Sequence, residues 1–433
     1  MLKGQFPVEK FASLRTPFYY YDLPLLRRTL DKIRECIEPY PQFHVHYAVK
    51  ANFNGRILQE ISRCGFGADC VSGGEIRAAL QNGFAPESIV YAGVGKSDEE
   101  ILVALDAGIA RFNVESAAEL EVINELALSR GVVAPVSLRV NPDIGAHTHA
   151  NITTGLAENK FGINYEQLPG VIELADSLPG VEYKGLHFHI GSQILEMDDF
   201  VALCNRINVL AEQILRQRRG RLVPAASSAA AVGYSSSAAG AAASVLGVAG
   251  SGAVAGAAAG VAGVAASVLG DINVGGGLGI NYYHPNHLDV AEFSQYFETF
   301  ARHLKLPEGT PVHFELGRSV VAPCGSLISR VLYIKEGTTR RFAIIDASMT
   351  ELIRPALYKA YHRVENISSY EPEEVYDVVG PVCESSDVFA KGVSIDKCHR
   401  GDFIAIRSAG AYGESMSSQY NCRPLPACFF KED

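Results

Sequence analysis

Short apolar runs alternate with longer stretches in which apolar residues recur every three or four positions, from about residue 24 to residue 320. The runs HVHYAVK (44–50), FGADCVS (66–72), SIVYAG (88–93), ARFNV (110–114), VSLRVN (136–141), YKGLHFHIGS (183–192), DINVGGG (271–277) and VHFEL (312–316) are predicted strands. Most of the intervals between them carry helical spacing. In DEEILVALDAG (98–108), Ile101, Leu102 and Leu105 share a face, acids lead, and Gly108 follows the end. Eight such alternations predict an α/β fold, a parallel (β/α)₈ barrel over 24–323, with an open doubly wound sheet as the alternative. After residue 323 the texture changes to Gly- and Pro-punctuated runs such as FAIIDASM, VYDVVGP and GDFIAIRSAGAYG. These predict a mostly antiparallel β domain over 324–433 that also takes in residues 1–23, where TPFYYYDL reads as a strand.

One stretch breaks the alternation. Residues 224–270 hold no charge and are almost wholly Ala, Gly, Ser and Val, with AASVLG at both 242–247 and 265–270. A small-residue membrane helix, a packed helical insert and a flexible or engineered linker all match that composition. The absence of an aromatic belt or basic flank disfavours the first, so the stretch is expected in a loop that tolerates insertion.

Bulk properties narrow the function classes. A chain of 433 residues exceeds one ordinary core, which predicts two domains. A net charge of -10 argues against a sequence-independent nucleic-acid binder, which needs a basic face. Nine scattered cysteines without a C-x-x-C pair, and an N-terminus without an apolar leader run, predict reduced thiols in a cytoplasmic, non-membrane protein.

The chemistry-bearing residues fall at strand ends, where barrels place active sites. Lys50 ends the first run, and reads either as a surface lysine or as a desolvated Schiff-base amine with a lowered pKa. Gly275, Gly276 and Gly277 end another, and make either a tight turn or an anion cup of backbone N–H groups. HFHIGSQ offers His187, His189 and Ser192. Two histidines without a third ligand disfavour a metal site. A ring that stacks on a planar group, with Ser192 as a phosphate donor, stands against a satisfied core histidine. Glu315 ends the eighth run, with Arg318 just beyond, as a carboxylate for a ring nitrogen or as half of an ion pair. Together these are the parts of a pyridoxal 5′-phosphate site.

YAVKAN, CVSGGE, RVNPDI, KFGI, HFHIGSQ, NVGGGLG, ELGRS, LIRPALY, GPVCESSD and GAYG occur in that order. With these motifs the chain resembles the barrel-fold (fold type III) pyridoxal-phosphate-dependent decarboxylases, most nearly the diaminopimelate branch, over nearly its whole length outside 224–270. The resemblance implies decarboxylation of meso-2,6-diaminopimelate to L-lysine by a homodimer with shared active sites, and no metal. It implies that Lys50 carries the cofactor, His189 stacks on its ring, and Glu315 pairs with the pyridine nitrogen. Ser192, Gly275, Gly276 and Gly277 would bind its phosphate, with Tyr412 near it. Arg318, Arg354 and Tyr358 would hold the substrate, while Cys383 and Glu384 reach the site from the partner subunit. The chain departs from the family in having Leu316 where proline is usual, and in the 224–270 stretch just before the phosphate-binding strand. Related decarboxylases of ornithine, arginine or carboxynorspermidine, a racemase of the same fold, a non-catalytic single-barrel binder of the cofactor and an inactive engineered variant are the rival readings. GPVCESSD and LIRPALY speak against the related decarboxylases, and the residues after 323 against the single barrel.

Overall fold

The computed structural model describes residues 4–144, 160–222, 268–285 and 290–432. Apart from its last three residues, the 224–270 stretch lies outside them. A first strand, β1 (Phe18–Asp22), precedes the alternating region. The alternation then yields β2 (Phe43–Ala48), β3 (Gly67–Cys70), β4 (Ile89–Tyr91), β5 (Arg111–Val114), β6 (Ala134–Asn141), the short β7 (Ile163–Asn164), β8 (Val181–His187), β9 (Asp271–Asn273) and β10 (Val312–Leu316).

All eight predicted barrel strands are present. They pair in parallel in the ring β2-β3-β4-β5-β6-β8-β9-β10, with β10 back on β2. The β5–β6 and β10–β2 pairings close the sheet, which excludes the open doubly wound alternative. Parallel strands covered on both faces read as near-continuous apolar runs, and every residue of Gly67–Cys70 is buried.

The helices between them begin where the chain supplies caps. Asp22, Ser72, Ser97 and Ser116 each accept from a backbone N–H of the first turn. The helix Asp98–Ala107 carries a full capping box from Ser97 and Glu100 and ends on Gly108 at φ 68°. It buries Ile101, Ala104 and Leu105, while Leu102, about 100° round the helix from Ile101, is only half-buried. Phe43 and Phe314 meet Phe297 and Phe300 of the helix Val290–His303 in edge-on and tilted contacts, welding β2 and β10 to the outer layer.

The later strands are β11 (Gly325–Glu336), β12 (Arg341–Ile345), β13 (Val364–Asn366), β14 (Glu373–Val379), β15 (Val388–Asp396), β16 (Phe403–Ile406) and β17 (Ala427–Lys431). They form a sheet in the order β13-β16-β11-β12-β14-β15, mostly antiparallel, with β12 and β14 parallel. β1 joins it, antiparallel to β11 and parallel to β17. The loop after β16 reaches back to the barrel. The Tyr412 N–H donates to the Ala51 carbonyl at 2.8 Å, and the Asn52 amide donates to the Gly410 carbonyl at 2.9 Å. These bonds bring the second sheet's loop to the C-terminal end of β2.

Candidate active site

β2 stops at Ala48, and Val49–Ala51 make one 3₁₀ turn, so Lys50 sits two residues past the strand rather than on its last position. The turn is fixed from both sides, by the bonds to the β16 loop and by the Tyr47 hydroxyl donating to the Asn52 carbonyl at 2.9 Å. The expectation of a lowered lysine pKa is corrected. Burial does push the Lys50 ammonium down, but the Asp69 carboxylate, then Tyr412 and Glu315, outweigh it and raise it above the usual lysine range. Asp69 is buried on β3, and its Oδ1 meets no donor among the described residues. Burial, reinforced by Glu315, pushes its own carboxyl up, and the Lys50 ammonium beside it pulls the other way and favours the carboxylate. Lys50 Nζ makes no hydrogen bond among the described residues, which leaves an amine in the site without a structural task.

Glu315 is buried near the end of β10. Asn273 and Asn113 donate to its Oε1 at 2.7 and 3.3 Å, and His187 Nε2 lies 3.1 Å from its Oε2. Burial raises its pKa, but His187, through its charge and its hydrogen bond, and Lys50 hold it well below the usual carboxylate range. The ion pair with Arg318 that the sequence allows is not formed; Glu315 and Arg318 each have other partners. His189 is held well below the usual imidazole range by burial and by Lys50 and Arg139, so its ring is neutral. The Gly276 N–H donates to its Nδ1 at 3.3 Å.

The three glycines are required by backbone approach. A Cβ on Gly276 would stand 1.9 Å from the Glu315 carbonyl, and one on Gly275 would stand 2.2 Å from the Phe188 carbonyl at φ 72°. The segment therefore lies pressed between the ends of β8 and β10.

Arg318 and Arg354 form the other wall. Both are buried. Arg318 donates to Ser192 Oγ at 3.0 Å and to the Tyr282 hydroxyl at 2.8 Å, and lies 4.9 Å from the centre of the Tyr412 ring. Arg354 donates to the same Tyr282 hydroxyl at 2.8 Å, and to His362 Nε2 at 2.9 Å. Among the described residues neither arginine has a carboxylate partner.

A cavity of about 580 Å³ collects these groups. Of the residues expected from the sequence, Lys50, His189, Ser192, Arg318, Arg354, Tyr358 and Tyr412 line it. Glu315 and the glycines lie directly behind His189. Cys383 and Glu384 do not join them. They are exposed on the loop after β14, where Asp387 accepts from the Met349 and Val382 N–H groups and the Tyr420 hydroxyl donates to Glu384 at 2.8 Å. Sequence reasoning missed Tyr282, Asp69, Asn113 and Asn273, and weighed His187 only as a metal ligand. The residues present fit a pyridoxal phosphate group. They offer an uncommitted amine, a neutral buried imidazole, a buried anionic carboxylate and a glycine turn beside a serine.

A barrel capped by a β sheet, with this set of groups between them, defines a pyridoxal-phosphate-dependent decarboxylase, and the comparisons agree. The family profile described as the pyridoxal binding domain of pyridoxal-dependent decarboxylases matches residues 26–218. The diaminopimelate decarboxylase of Bacteroides thetaiotaomicron is 53% identical over 432 residues, covering 100% of both chains. That of Zymomonas mobilis is 37% identical over 418 residues, covering 96% of this chain and 87% of its own. The crystal structure of diaminopimelate decarboxylase from Helicobacter pylori complexed with L-lysine superposes with a TM-score of 0.81 at 34% identity, covering 98% of this chain and 94% of that one. The chain belongs to the diaminopimelate decarboxylase family.

Proposed function

We propose that this chain converts meso-2,6-diaminopimelate to L-lysine and carbon dioxide, the closing step of lysine synthesis, as a homodimer with shared active sites. The observation that carries the substrate is the pair of buried guanidiniums, without a carboxylate partner among the described residues, in the cavity that holds Lys50. A bidentate arginine suits a carboxylate. A substrate ending in an ammonium or guanidinium, such as ornithine or arginine, would instead face two like charges.

When bound, pyridoxal phosphate supplies a sink for the electron pair left at Cα as carbon dioxide departs. The chain's own residues do the rest. Lys50 Nζ holds the group covalently and the His189 ring covers its face. Glu315, kept anionic by His187, Asn113 and Asn273, holds the proton on the pyridine nitrogen. Ser192 and Gly275, Gly276 and Gly277 take the phosphate, with Tyr412 beside it. Arg318, Arg354 and Tyr358 orient the distal end of the substrate. Lys50 of this chain, and Cys383 of the partner subunit, are the two candidate donors of the proton that Cα receives, and Glu384 of the partner subunit completes the substrate site.

The β domain comprises residues 1–23 and 324–433, and the barrel 24–323. The cytoplasm is the proposed compartment. Nine free cysteines support it, and no helix among the described residues is long and apolar enough to cross a membrane.

The direct test is lysine formation from meso-diaminopimelate with added pyridoxal phosphate, beside a Lys50→Ala control. Lysine from the parent alone is expected. Faster carbon dioxide release from ornithine or arginine than from diaminopimelate would overturn the substrate assignment.

A further inference from the structure

The two arginines are not simply near one another; one oxygen gathers them. Nη1 of Arg318 and Nη1 of Arg354 each lie 2.8 Å from the Tyr282 hydroxyl. Each guanidinium has a second anchor, Arg318 through Nη2 and Arg354 through the same Nη1. Arg318 reaches Ser192 and lies against the Tyr412 ring. Arg354 reaches His362, whose Nδ1 is 2.9 Å from the Arg407 carbonyl, and its guanidinium lies 5.1 Å from the centre of the Tyr282 ring. His362 in turn meets that ring edge-on at 5.0 Å. Tyr282 is buried and lines the cavity. A phenol can accept from both cations but does not neutralise them. Nη2 and Nε of Arg354 donate to nothing among the described residues, and Nε of Arg318 is buried without a partner. The assembly is a cationic fork joined at the Tyr282 hydroxyl, with Nη2 of Arg354 its uncommitted terminal nitrogen among the described residues.

We propose that Tyr282 is the positioning residue of this fork: its hydroxyl holds Arg318 and Arg354 at one spacing, and so sets the preference for a substrate with a carboxylate at the distal carbon. The proposal rests on the substrate reading above and deepens it. It predicts that removing one oxygen weakens recognition of that carboxylate and leaves the chemistry at the reacting carbon almost untouched.

L-Lysine and cadaverine make a matched pair of probes. They share the chain and both amines, and differ only in the carboxylate that survives the reaction. Their affinities for the cofactor-loaded wild type, Tyr282→Phe, Arg354→Gln and the double variant can be read by calorimetry without turnover. Tyr282→Phe is expected to weaken L-lysine by about tenfold, the loss typical of a hydrogen bond to a charged group, and cadaverine by less than about twofold. It should raise KM for meso-diaminopimelate to a similar degree, with kcat within about threefold. In the Arg354→Gln background the same substitution should cost less than about threefold, because the fork is already broken. Unchanged lysine affinity, an equal loss for both probes, or full additivity in the double variant would each overturn the proposal. A wild-type chain that distinguishes lysine from cadaverine through Tyr282 but does not decarboxylate diaminopimelate overturns the substrate reading and leaves the fork standing.

Discussion

Glu315 shows how a single side chain is tuned by neighbours far away in the chain. Its burial alone would favour the neutral acid, yet His187 and Lys50 keep it ionised. An ionised carboxylate can hold a proton on a ring nitrogen; an amide cannot. Glu315→Gln should therefore lower kcat by on the order of a hundredfold or more, while cofactor absorbance confirms that the site still loads. Wild-type kcat in that variant would remove Glu315 from the chemistry. His362 gives a second prediction at this scale. Burial, then Arg354, depress its pKa to about 3, against 6.5 in the unfolded chain. Between those values the unfolded chain binds the extra proton, so stability falls as pH drops from about 6.5 towards 3. One such group contributes a slope of about 1.4 kcal/mol per pH unit. His362→Gln should flatten the dependence of the urea midpoint on pH between about 4 and 6 by one proton's worth. An unchanged slope would show that His362 titrates normally in the folded chain.

At the scale of elements, the glycine turn after β9 is the tightest joint in the site. The β8, β9 and β10 ends converge so closely that Gly276 has carbonyl oxygen where a Cβ would be. Gly276→Ala should cost about 1–3 kcal/mol and weaken cofactor binding, because the turn must move away from the site to make room. Gly95, with open space around a Cβ, is the control, and Gly95→Ala should leave the melting temperature within about 1 °C. Equal melting temperatures for the two variants would mean that the turn yields without cost. The 3₁₀ turn of Lys50 is a joint of another kind. Its position depends on Tyr412 and Asn52 bridging to the β16 loop, so the second sheet sets where the barrel's lysine points.

At the scale of the whole molecule, the cavity is built by both halves. Lys50, His189 and Ser192 come from the barrel, and Arg354, Tyr358 and Tyr412 from residues beyond it. Cys383 and Glu384 stand on an exposed, well-anchored loop away from that cavity. Placing them in the neighbouring subunit's site makes a sharp prediction. With Cys383 as the proton donor, Lys50→Ala and Cys383→Ala chains are each expected to be nearly inactive alone. Mixed and re-associated in equal amounts, they should recover about a quarter of wild-type activity, since half the dimers then carry one intact site. No recovery, with mixed dimers demonstrated, would confine the site to one chain.

What the sequence determined by itself was local and periodic. Alternation, serine and aspartate caps and glycine stops specify which segments are strands and helices, because those signals act within one or two turns of the chain. The ends of those strands also exposed Lys50, His189, Ser192, Glu315 and Arg318 as candidates, since a parallel barrel presents its chemistry there. The tertiary structure decided the partners. Tyr282 meets Arg318 and Arg354 across 36 and 72 residues, Ser192 meets Arg318 across 126, and Asn113 meets Glu315 across 202. No spacing rule reaches that far, because such contacts exist only once the ring closes and the β sheet docks on it. The same holds for charge. Desolvation can be guessed from an apolar run around Lys50, but the Asp69 carboxylate that outweighs it arrives on the neighbouring strand, and only the β2–β3 pairing brings it there.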